Sequence, residues 1–258
     1  MIPIPLYQQS RDEISWFEEA LEAGLPVMLT GPTGCGKTRL VEHVAARSGR
    51  ELTVVVGNED TTSADLLGRF LVRGGDVEWT DGPVTTAVRK GSLCYLDEVV
   101  EMRRESLAVL HPLADHRRTL HLDRRDEVVD AAPGFGLVCS YNPGRSVGYR
   151  ELRAAFRQRF VTIALDYLLP EQEVEVVCSE SGLDEPRAGR LVRQAGALRC
   201  AVAQGGEAPS TRMLVNAAQL LVRGIDEHAA VEICLLGPLS GRSDNQGTDA
   251  LRKLIAVG

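Results

Sequence analysis

The stretch Pro26-Val-Met-Leu-Thr30-Gly31-Pro-Thr-Gly-Cys-Gly-Lys37-Thr38 decides the fold predicted for this chain. Its first part, residues 26–30, is an apolar run typical of a buried strand, and the apolar spacing over 38–47 predicts a helix. Between them lies the complete pattern G-x-x-x-x-G-K-[ST], in the strand–loop–helix context that the pattern requires. There the backbone N–H groups of the loop and the positive end of the helix converge on an anion. The stretch therefore predicts a phosphate-binding loop.

The residue types of this loop suit the phosphates of a nucleotide together with a magnesium ion. Its glycines let the backbone wrap around the phosphates. We expect Lys37 to reach the β- and γ-phosphates and the Thr38 hydroxyl to bind Mg²⁺. The predicted cofactors are therefore ATP and Mg²⁺. The predicted nucleotide contacts are the whole loop and the arginine after it: Gly31, Pro32, Thr33, Gly34, Cys35, Gly36, Lys37, Thr38 and Arg39.

A second motif places two acids at the end of an apolar strand, in the order Leu93-Cys-Tyr-Leu-Asp97-Glu98. We expect Asp97 to join Thr38 at the metal and to contact the nucleotide. Glu98 is expected to polarise the attacking water as a general base. Taken alone, such a pair of acids is common, and its alternative role is to cap the end of a strand. After a phosphate-binding loop it favours hydrolysis over transfer of the phosphoryl group to a small acceptor.

Four further polar residues complete the predicted catalytic set. Asn142 follows another apolar strand and is expected to position the water beside Glu98, although an asparagine before a proline can also simply turn the chain. Arg159, with Arg157 in reserve, is expected to act as an arginine finger toward a neighbouring subunit; the alternative is a solvated basic helix end. Arg212 begins a later helix and is expected to lie over the phosphates when two domains close.

Strand and helix patterns alternate along the chain up to residue 165. This alternation predicts a parallel α/β sheet with helices on both faces, since strands buried on both faces have continuous apolar runs. Two interruptions at 72–79 and 119–129 predict inserted β-hairpins, and from residue 170 the periodicity predicts only helices. We therefore expect an α/β nucleotide-binding core at 1–168 and an α-helical lid domain at 169–258. The predicted elements are strands at 26–30, 52–56, 93–96, 137–140 and 161–165, core helices including 38–47 and 103–114, lid helices at 171–181, 186–203, 211–223 and 227–236, and a loop at 204–209.

Composition and charge disfavour several classes of protein. Hydrophobic residues make up 44% and charged residues 25% of the chain, as in ordinary globular proteins. The net charge of −7 argues against a broad basic footprint for nucleic acid. The six cysteines contain no C-x-x-C pair and mostly lie in apolar runs, which predicts buried, reduced thiols. No apolar run approaches the roughly 18 residues of a membrane span. We expect a cytoplasmic protein without direct membrane insertion.

Taken together, the motifs resemble the MoxR branch of the AAA+ P-loop ATPases and, within it, the CbbQ/NorQ subfamily. One stretch departs from the family pattern: Leu-Arg-Ala-Ala-Phe at 152–156 stands where the family usually has a Lys-Pro-Ser type of sequence before the arginine finger. The resemblance covers most of the chain and is based on these stretches: the loop at 31–38, Asp65-Leu-Leu-Gly-Arg69, Gly74-Gly75, Trp79-Thr-Asp-Gly-Pro83, Tyr95-Leu-Asp-Glu-Val99, His111-Pro-Leu-Ala-Asp-His-Arg-Arg118, Ser140-Tyr-Asn-Pro-Gly144 and Arg157-Gln-Arg-Phe-Val161.

The resemblance implies a homo-hexameric ring with ATP bound between subunits. It also implies a partner that contains a von Willebrand factor A domain, of the CbbO or NorD type. The pair would remodel a client enzyme: Rubisco, freed of inhibitory sugar phosphates, in the CbbQ case, or nitric oxide reductase, helped to gain its iron, in the NorQ case. The chain itself does not indicate which client it serves.

Three other functions share the phosphate-binding loop. A P-loop kinase would need an acceptor-binding lid and no second subunit, whereas this chain has a candidate arginine finger. A nucleic-acid motor would have a basic, aromatic-bearing insert, whereas the first predicted hairpin contains Asp76 and Glu78. An assembly ATPase of the gas-vesicle type has similar core motifs and remains an alternative.

Overall fold

A computed structural model describes residues 4–143, 152–201 and 208–239 of the chain. Its contacts divide it into two compact units. The first holds most of the chain up to Leu165, and the second holds the chain from Asp166 onward together with the loop tip Pro32–Cys35. The expected division into domains at 1–168 and 169–258 remains a proposal.

The first unit is built on a five-stranded parallel sheet, as predicted. The strand order is β2-β5-β8-β1-β9, so that β1, which leads into the phosphate-binding loop, lies between β8 and β9. The carboxyl ends of the three neighbouring strands β5, β8 and β1 therefore meet at one edge. The strands of this sheet are β1 (Val27–Thr30), β2 (Leu52–Val56), β5 (Leu93–Asp97), β8 (Gly136–Tyr141) and β9 (Val161–Ala164).

Burial differs between the middle and the edge of this sheet. All four residues of β1 are buried, and β5 and β8 are buried except at their last residue. The prediction of strands buried on both faces is wrong for the two edge strands: Val54 and Val56 of β2 are 45% and 63% exposed, and Thr162 and Ala164 of β9 are exposed. β2 is an edge strand that pairs only with β5 in the sheet, so its outer face lacks a packing partner there.

Helices connect the strands of the first unit, and one of them is shorter than predicted. The pattern over 103–114 predicted a single helix, but the α-helix ends at Ala108 and continues as turns. Pro112 explains the difference, because in a continuous helix its ring would clash with the carbonyl of Ala108. The α-helices of this unit are α1 (Glu13–Glu22), α2 (Lys37–Arg47), α3 (Ser63–Leu67), α4 (Pro83–Lys90), α5 (Arg104–Ala108) and α6 (Ala154–Arg157).

Both predicted hairpins are present, and the first is longer than predicted. It pairs β3 (Gly68–Arg73) with β4 (Asp76–Asp81) in antiparallel register. Gly74 and Gly75 form its tip with φ of 63° and 99°, values that a two-residue hairpin turn needs and that glycine adopts without strain. The second hairpin pairs β6 (Thr119–Leu122) with β7 (Glu127–Asp130).

Arg89 of α4 joins the base of the first hairpin to the turn end of the second. Its guanidinium donates to Asp81 at the end of β4 (3.0 Å) and to Glu127 at the start of β7 (2.7 Å). The Arg125 guanidinium also lies over the Trp79 ring, 5.8 Å from its centroid. The two hairpins are therefore in mutual contact through charged side chains.

The second unit is helical, as predicted from residue 170 onward. Its helices pack around a buried aliphatic core that includes Leu191, Leu198 and Leu214. The predicted helix 186–203 and loop 204–209 extend into residues 202–207, outside the described part of the chain. The helices are α7 (Pro170–Ser181), α8 (Glu185–Ala201), α9 (Thr211–Val222), α10 (Glu227–Val231), a π-helical turn (Glu232–Leu236) and α11 (Gly237–Leu239).

A buried ion pair lies inside this helical unit. The Glu173 carboxylate of α7 is fully buried and accepts two hydrogen bonds from the Arg199 guanidinium of α8, at 2.7 and 2.8 Å. It also accepts one from the Thr211 hydroxyl at the start of α9, at 2.6 Å. A buried carboxylate needs such partners, because an unpaired buried charge is strongly destabilising. Glu173 thus fixes three helices relative to one another.

The cysteines form no disulfide in the described part of the chain. Burial raises the pKa of Cys94 to about 12 and that of Cys139 well above its usual value. The prediction of mostly buried thiols is wrong for Cys200, which is exposed, and only partly met by Cys178 and Cys234, which are half-buried. Among the described helices, none has the length and apolar character needed to span a bilayer.

Candidate nucleotide-binding site

The phosphate-binding loop runs from β1 into α2. Gly34 and Gly36 have φ of 73° and 99°, in the left-handed region that favours glycine. Gly36 is the N-cap of α2, an 11-residue helix whose first residue is Lys37. The first N–H groups of a helix have no intrahelical partner, and the helix dipole adds positive potential there. The loop therefore has the local geometry of an anion site.

The side chains of this stretch differ in burial. Lys37 is buried and Thr38 is half-buried, so neighbouring protein atoms restrict the conformations of both side chains. Cys35 is also buried and faces packing rather than solvent. Arg39 is exposed and lies 4.0 Å from Glu42 across one turn of α2.

Lys37 and Asn142 meet at the carboxyl edge of the sheet. The Lys37 ammonium donates to the Gly31 carbonyl (2.9 Å) and to the Asn142 amide oxygen. β1 and β8 are neighbours with Thr30 opposite Tyr141, so the residues that follow these strands lie close together. Asn142 is itself buried. The predicted asparagine therefore lies beside the predicted phosphate-binding lysine.

Asn142 also contacts the predicted general base. Its amide nitrogen donates to the Glu98 carboxylate at 2.8 Å. Glu98 follows β5 with φ of 52°, a left-handed conformation that is uncommon for glutamate and common near functional sites. Lys37, Asn142 and Glu98 thus form one continuous chain of hydrogen bonds.

Asp97 lies directly beside this chain. One of its carboxylate oxygens accepts from the Thr38 hydroxyl at 3.2 Å. The other accepts from the Tyr95 hydroxyl at 2.9 Å, from the Ser140 hydroxyl and from the Glu98 backbone N–H at 3.1 Å. The two predicted magnesium ligands are therefore adjacent.

The sequence analysis assigned no role to Tyr95 or Ser140. Burial raises the pKa of Tyr95 well above its usual value, so its hydroxyl stays protonated and can donate. The available signal was the two-residue period of a strand, which places Tyr95 on the same face as Asp97. For Ser140 the signal was that the polar ends of β5 and β8 are adjacent, and recognising it required knowledge of the strand order.

The donor set at this position fits Mg²⁺. A hydroxyl and a carboxylate are hard oxygen ligands, and Mg²⁺ is usually held by one or two carboxylates together with substrate phosphates and waters. Thr38 and Asp97 therefore offer the sparse protein ligation typical of a magnesium–nucleotide site.

The two candidate finger arginines lie at the end of α6 (Arg157) and in the turn before β9 (Arg159), and their surroundings differ. Arg157 is exposed at the end of α6. Arg159 is half-buried, donates to the Ala155 carbonyl of the same helix, and has a buried Nε without a hydrogen-bond partner. The pKa of the nearby His111 is lowered mainly by burial and, second, by the positive charge of Arg159. Both arginines keep their predicted roles as proposals.

Arg212 lies in the first turn of α9, in the second unit. Ser210 caps this helix by accepting from the Met213 backbone N–H, at 3.4 Å. The Arg212 side chain is exposed. Its predicted place over the phosphates remains a proposal.

Comparison with known proteins agrees with this geometry. A family model described as AAA domain (dynein-related subfamily) matches residues 26–160, the range that contains the site. A second, described as CbbQ/NirQ/NorQ C-terminal, matches residues 173–257. This chain belongs to the CbbQ/NirQ/NorQ family of AAA+ proteins. The resemblance inferred from the motifs is confirmed.

Individual relatives support the same assignment. Protein NorQ of Paracoccus denitrificans is 49% identical over 257 residues, which cover 99% of this chain and 94% of that protein. Protein CbbQ of Hydrogenophilus thermoluteolus is 47% identical over 241 residues, which cover 93% of this chain and 90% of that protein.

Among solved structures, a point mutant of RuvB from Thermotoga maritima matches this CbbQ/NirQ/NorQ-family chain with a TM-score of 0.58. The match covers 87% of this chain and 69% of RuvB, at 16% sequence identity. At that identity the likeness shows the AAA+ fold alone. This family member is therefore an ATPase-type AAA+ protein with an α/β core and a C-terminal helical region.

Proposed function

We propose that this chain hydrolyses ATP with Mg²⁺ and acts as a AAA+ remodelling motor of the CbbQ/NorQ type. The observation that supports this most directly is the hydrogen-bonded chain Lys37–Asn142–Glu98 beside the pair Thr38–Asp97. It brings together a phosphate-binding cation, a candidate base and two candidate metal ligands at one edge of the sheet. These are the parts that phosphoryl transfer to water requires.

Binding is assigned to the loop and to Lys37. The loop amides and the α2 dipole attract the phosphates, and Lys37 adds a full positive charge. In the structure the Lys37 ammonium donates to the Gly31 carbonyl and to the Asn142 amide oxygen, and both of these oxygens are neutral. Phosphate oxygens are charged and accept more strongly than an amide oxygen. Bound ATP would therefore compete with Asn142 for the Lys37 ammonium.

This competition links the γ-phosphate to the base. Asn142 donates to Glu98 from its amide nitrogen while its amide oxygen accepts from Lys37. When Lys37 turns to the phosphates, Asn142 becomes able to orient water instead. Glu98 can then take a proton from that water as it attacks the γ-phosphorus, and the bond from the γ-phosphorus to the bridging oxygen breaks so that ADP leaves. Thr38 and Asp97 would hold Mg²⁺, which would neutralise part of the phosphate charge.

Charge on the transferring group needs further cations. We assign this to Arg159, or Arg157, of a neighbouring subunit in a homo-hexameric ring, and to Arg212 of the helical unit. An arginine finger acts on the developing charge of the phosphoryl group, so its removal lowers turnover more than binding. This arrangement makes each site dependent on two chains.

The mechanical output is proposed by likeness to the family. The relatives NorQ and CbbQ match this chain at 49% and 47% identity. These two identities are too close to each other to favour one client over the other. We propose a cytoplasmic protein that works with a von Willebrand factor A-domain partner of the CbbO or NorD type. The client is Rubisco or nitric oxide reductase. Assembly of a larger structure, as in gas-vesicle formation, is the alternative; a nucleic-acid motor fits the acidic chain less well.

A reconstitution with both clients tests this function. The chain and its A-domain partner are mixed with sugar-phosphate-inhibited Rubisco or with iron-free nitric oxide reductase plus iron, and client activity is measured. We expect one client to recover with ATP and not with a non-hydrolysable analogue. The Lys37→Ala variant should give no recovery, because it lacks the phosphate-binding cation. ATP hydrolysis without recovery of either client would contradict the remodelling role and favour the assembly alternative.

A further inference from the structure

Two buried hydroxyl groups lie beneath the predicted magnesium site. Tyr95 in β5 and Ser140 in β8 are both fully buried. Buried hydroxyls in an apolar sheet are costly unless they are hydrogen-bonded. Both of these reach the same acceptor, the inner oxygen Oδ1 of Asp97. A polar pair at this depth therefore serves a specific carboxylate.

The geometry of the strands creates this convergence. Tyr95 and Asp97 are two residues apart in β5, so their side chains lie on one face of the sheet. β5 and β8 are hydrogen-bonded neighbours with Leu96 opposite Cys139, which brings Ser140 next to Asp97. The Tyr95 hydroxyl lies 2.9 Å from Asp97 Oδ1 and 3.1 Å from Ser140 Oγ. Each hydroxyl has one hydrogen, and both can donate it to Oδ1.

The two carboxylate oxygens of Asp97 consequently differ in their hydrogen-bond partners. Oδ1 accepts from Tyr95, from Ser140 and from the Glu98 backbone N–H, which also lies 3.3 Å from Ser140 Oγ. Oδ2 faces the Thr38 hydroxyl at 3.2 Å. Saturation of Oδ1 fixes the carboxylate plane and leaves Oδ2 directed to the metal side.

The same contacts restrain the backbone of the candidate base. Glu98 has a left-handed conformation, with φ of 52° and ψ of 46°. Such a conformation persists in a non-glycine residue only when its surroundings enforce it. The hydrogen bonds from the Glu98 N–H to Asp97 Oδ1 and Ser140 Oγ provide that restraint.

We propose that Tyr95 and Ser140 are positioning residues that fix the Asp97 carboxylate for Mg²⁺ and hold the peptide of Glu98. This inference rests on the proposed nucleotide function and adds the groups that set its metal affinity. Both residues act through the Asp97 carboxylate, and the Tyr95 hydroxyl also lies 3.4 Å from the Thr38 hydroxyl. Their contribution is to the Mg²⁺-dependent part of nucleotide binding and turnover, and not to binding of the nucleotide alone.

The test compares nucleotide affinity with and without Mg²⁺ in Tyr95→Phe and Ser140→Ala. A fluorescent ADP is titrated into each full-length protein in EDTA and over a range of Mg²⁺ concentrations. We expect unchanged affinity in EDTA and a half-saturating Mg²⁺ concentration raised roughly tenfold, the size expected when one hydrogen bond to a charged group is lost. The double variant should be raised further. Mn²⁺ should show the same order of variants.

Two matched variants serve as controls. Tyr141→Phe removes a phenolic hydroxyl from a half-buried tyrosine of β8, and Ser106→Ala removes a hydroxyl that donates to the Thr61 carbonyl. Both should keep the Mg²⁺ dependence of the wild type. Melting temperatures are measured for all variants. If Tyr95→Phe does not fold, the result for Ser140→Ala decides the test.

Two results would overturn the inference. One is an unchanged half-saturating Mg²⁺ concentration in folded Tyr95→Phe and Ser140→Ala. The other is an equal loss of affinity in EDTA, which would give these residues a general structural role. A wild type whose nucleotide affinity does not respond to Mg²⁺ would instead contradict the proposed function, so the two failures are distinguishable.

Discussion

At the scale of single residues, the choice of arginine finger depends on side-chain surroundings. Arg157 is exposed, whereas Arg159 is half-buried and donates to the Ala155 carbonyl of its own helix. Its buried Nε has no hydrogen-bond partner in the described part of the chain. A buried, unpartnered donor is costly to the fold. Arg159 remains our choice for the finger, as a proposal, with Arg157 in reserve.

Mixing two inactive variants tests that assignment. Lys37→Ala and Arg159→Ala should each lose most ATPase activity. Their mixture should recover part of it, because some interfaces then combine an intact Lys37 with an intact Arg159. Phosphate release is measured before and after mixing. Normal turnover by Arg159→Ala, together with inactive Arg157→Ala, would assign the finger to Arg157. No recovery on mixing would contradict a shared site.

The sequence predicted the residues that form the site, but it did not predict the residues that hold them in position. Lys37, Asp97 and Glu98 stand in motifs whose spacing and context are specific. Asn142 required the inference that two strand ends are neighbours, and the structure places them so. The strand period places Tyr95 on the same face as Asp97 but does not show that it supports the site. Ser140 reaches Asp97 through the β5–β8 register, which no local pattern shows.

At the scale of elements, the first hairpin has two different faces. Phe70 and Val72 lie opposite Trp79 and Val77, which gives one apolar face, and Val72 and Val77 are 74% and 66% exposed. The expected polar tip is present, since Arg73, Asp76 and Glu78 are exposed. The sequence pattern did not reveal the apolar face beside it, because cross-strand register decides which residues share a face.

Replacing this tip should separate coupling from catalysis. We expect a short Gly/Ser turn in place of residues 73–78 to leave folding and ATP binding intact, since loss of solvated contacts usually changes stability by less than about 0.5 kcal/mol. Client activation with the partner present should be lost. A Val72→Thr, Val77→Thr variant keeps strand propensity and tests the apolar face alone. Full client activation by the turn-replaced protein would exclude this hairpin from coupling.

Element boundaries were predicted well where local pattern and packing agree. All five sheet strands were predicted to within one or two residues at each end. The helix predicted at 103–114 was wrong because Pro112 outweighs the apolar spacing. The exposure of β2 was missed because strand order, which a single sequence does not show, makes it an edge.

At the scale of the whole molecule, two units with their own cores make up the chain. The first contains the site side chains from Lys37 to Asn142, and the second is held together by aliphatic packing and the Glu173–Arg199 pair. The helical second unit overlaps the range 173–257 that the CbbQ/NirQ/NorQ C-terminal model matches. Ring assembly, partner and client remain proposals, made by likeness to the family and not from composition.

The central claim is that Glu98 activates water for ATP hydrolysis at this site, and one paired measurement tests it most directly. Phosphate release and ATP affinity are measured for the wild type, Glu98→Gln and the exposed-residue control Glu105→Gln. Glu98→Gln should bind ATP normally and turn over roughly 10²-fold or more slowly, because the amide cannot accept the proton from water. Glu105→Gln should behave as the wild type. Near-normal turnover by Glu98→Gln would contradict the account.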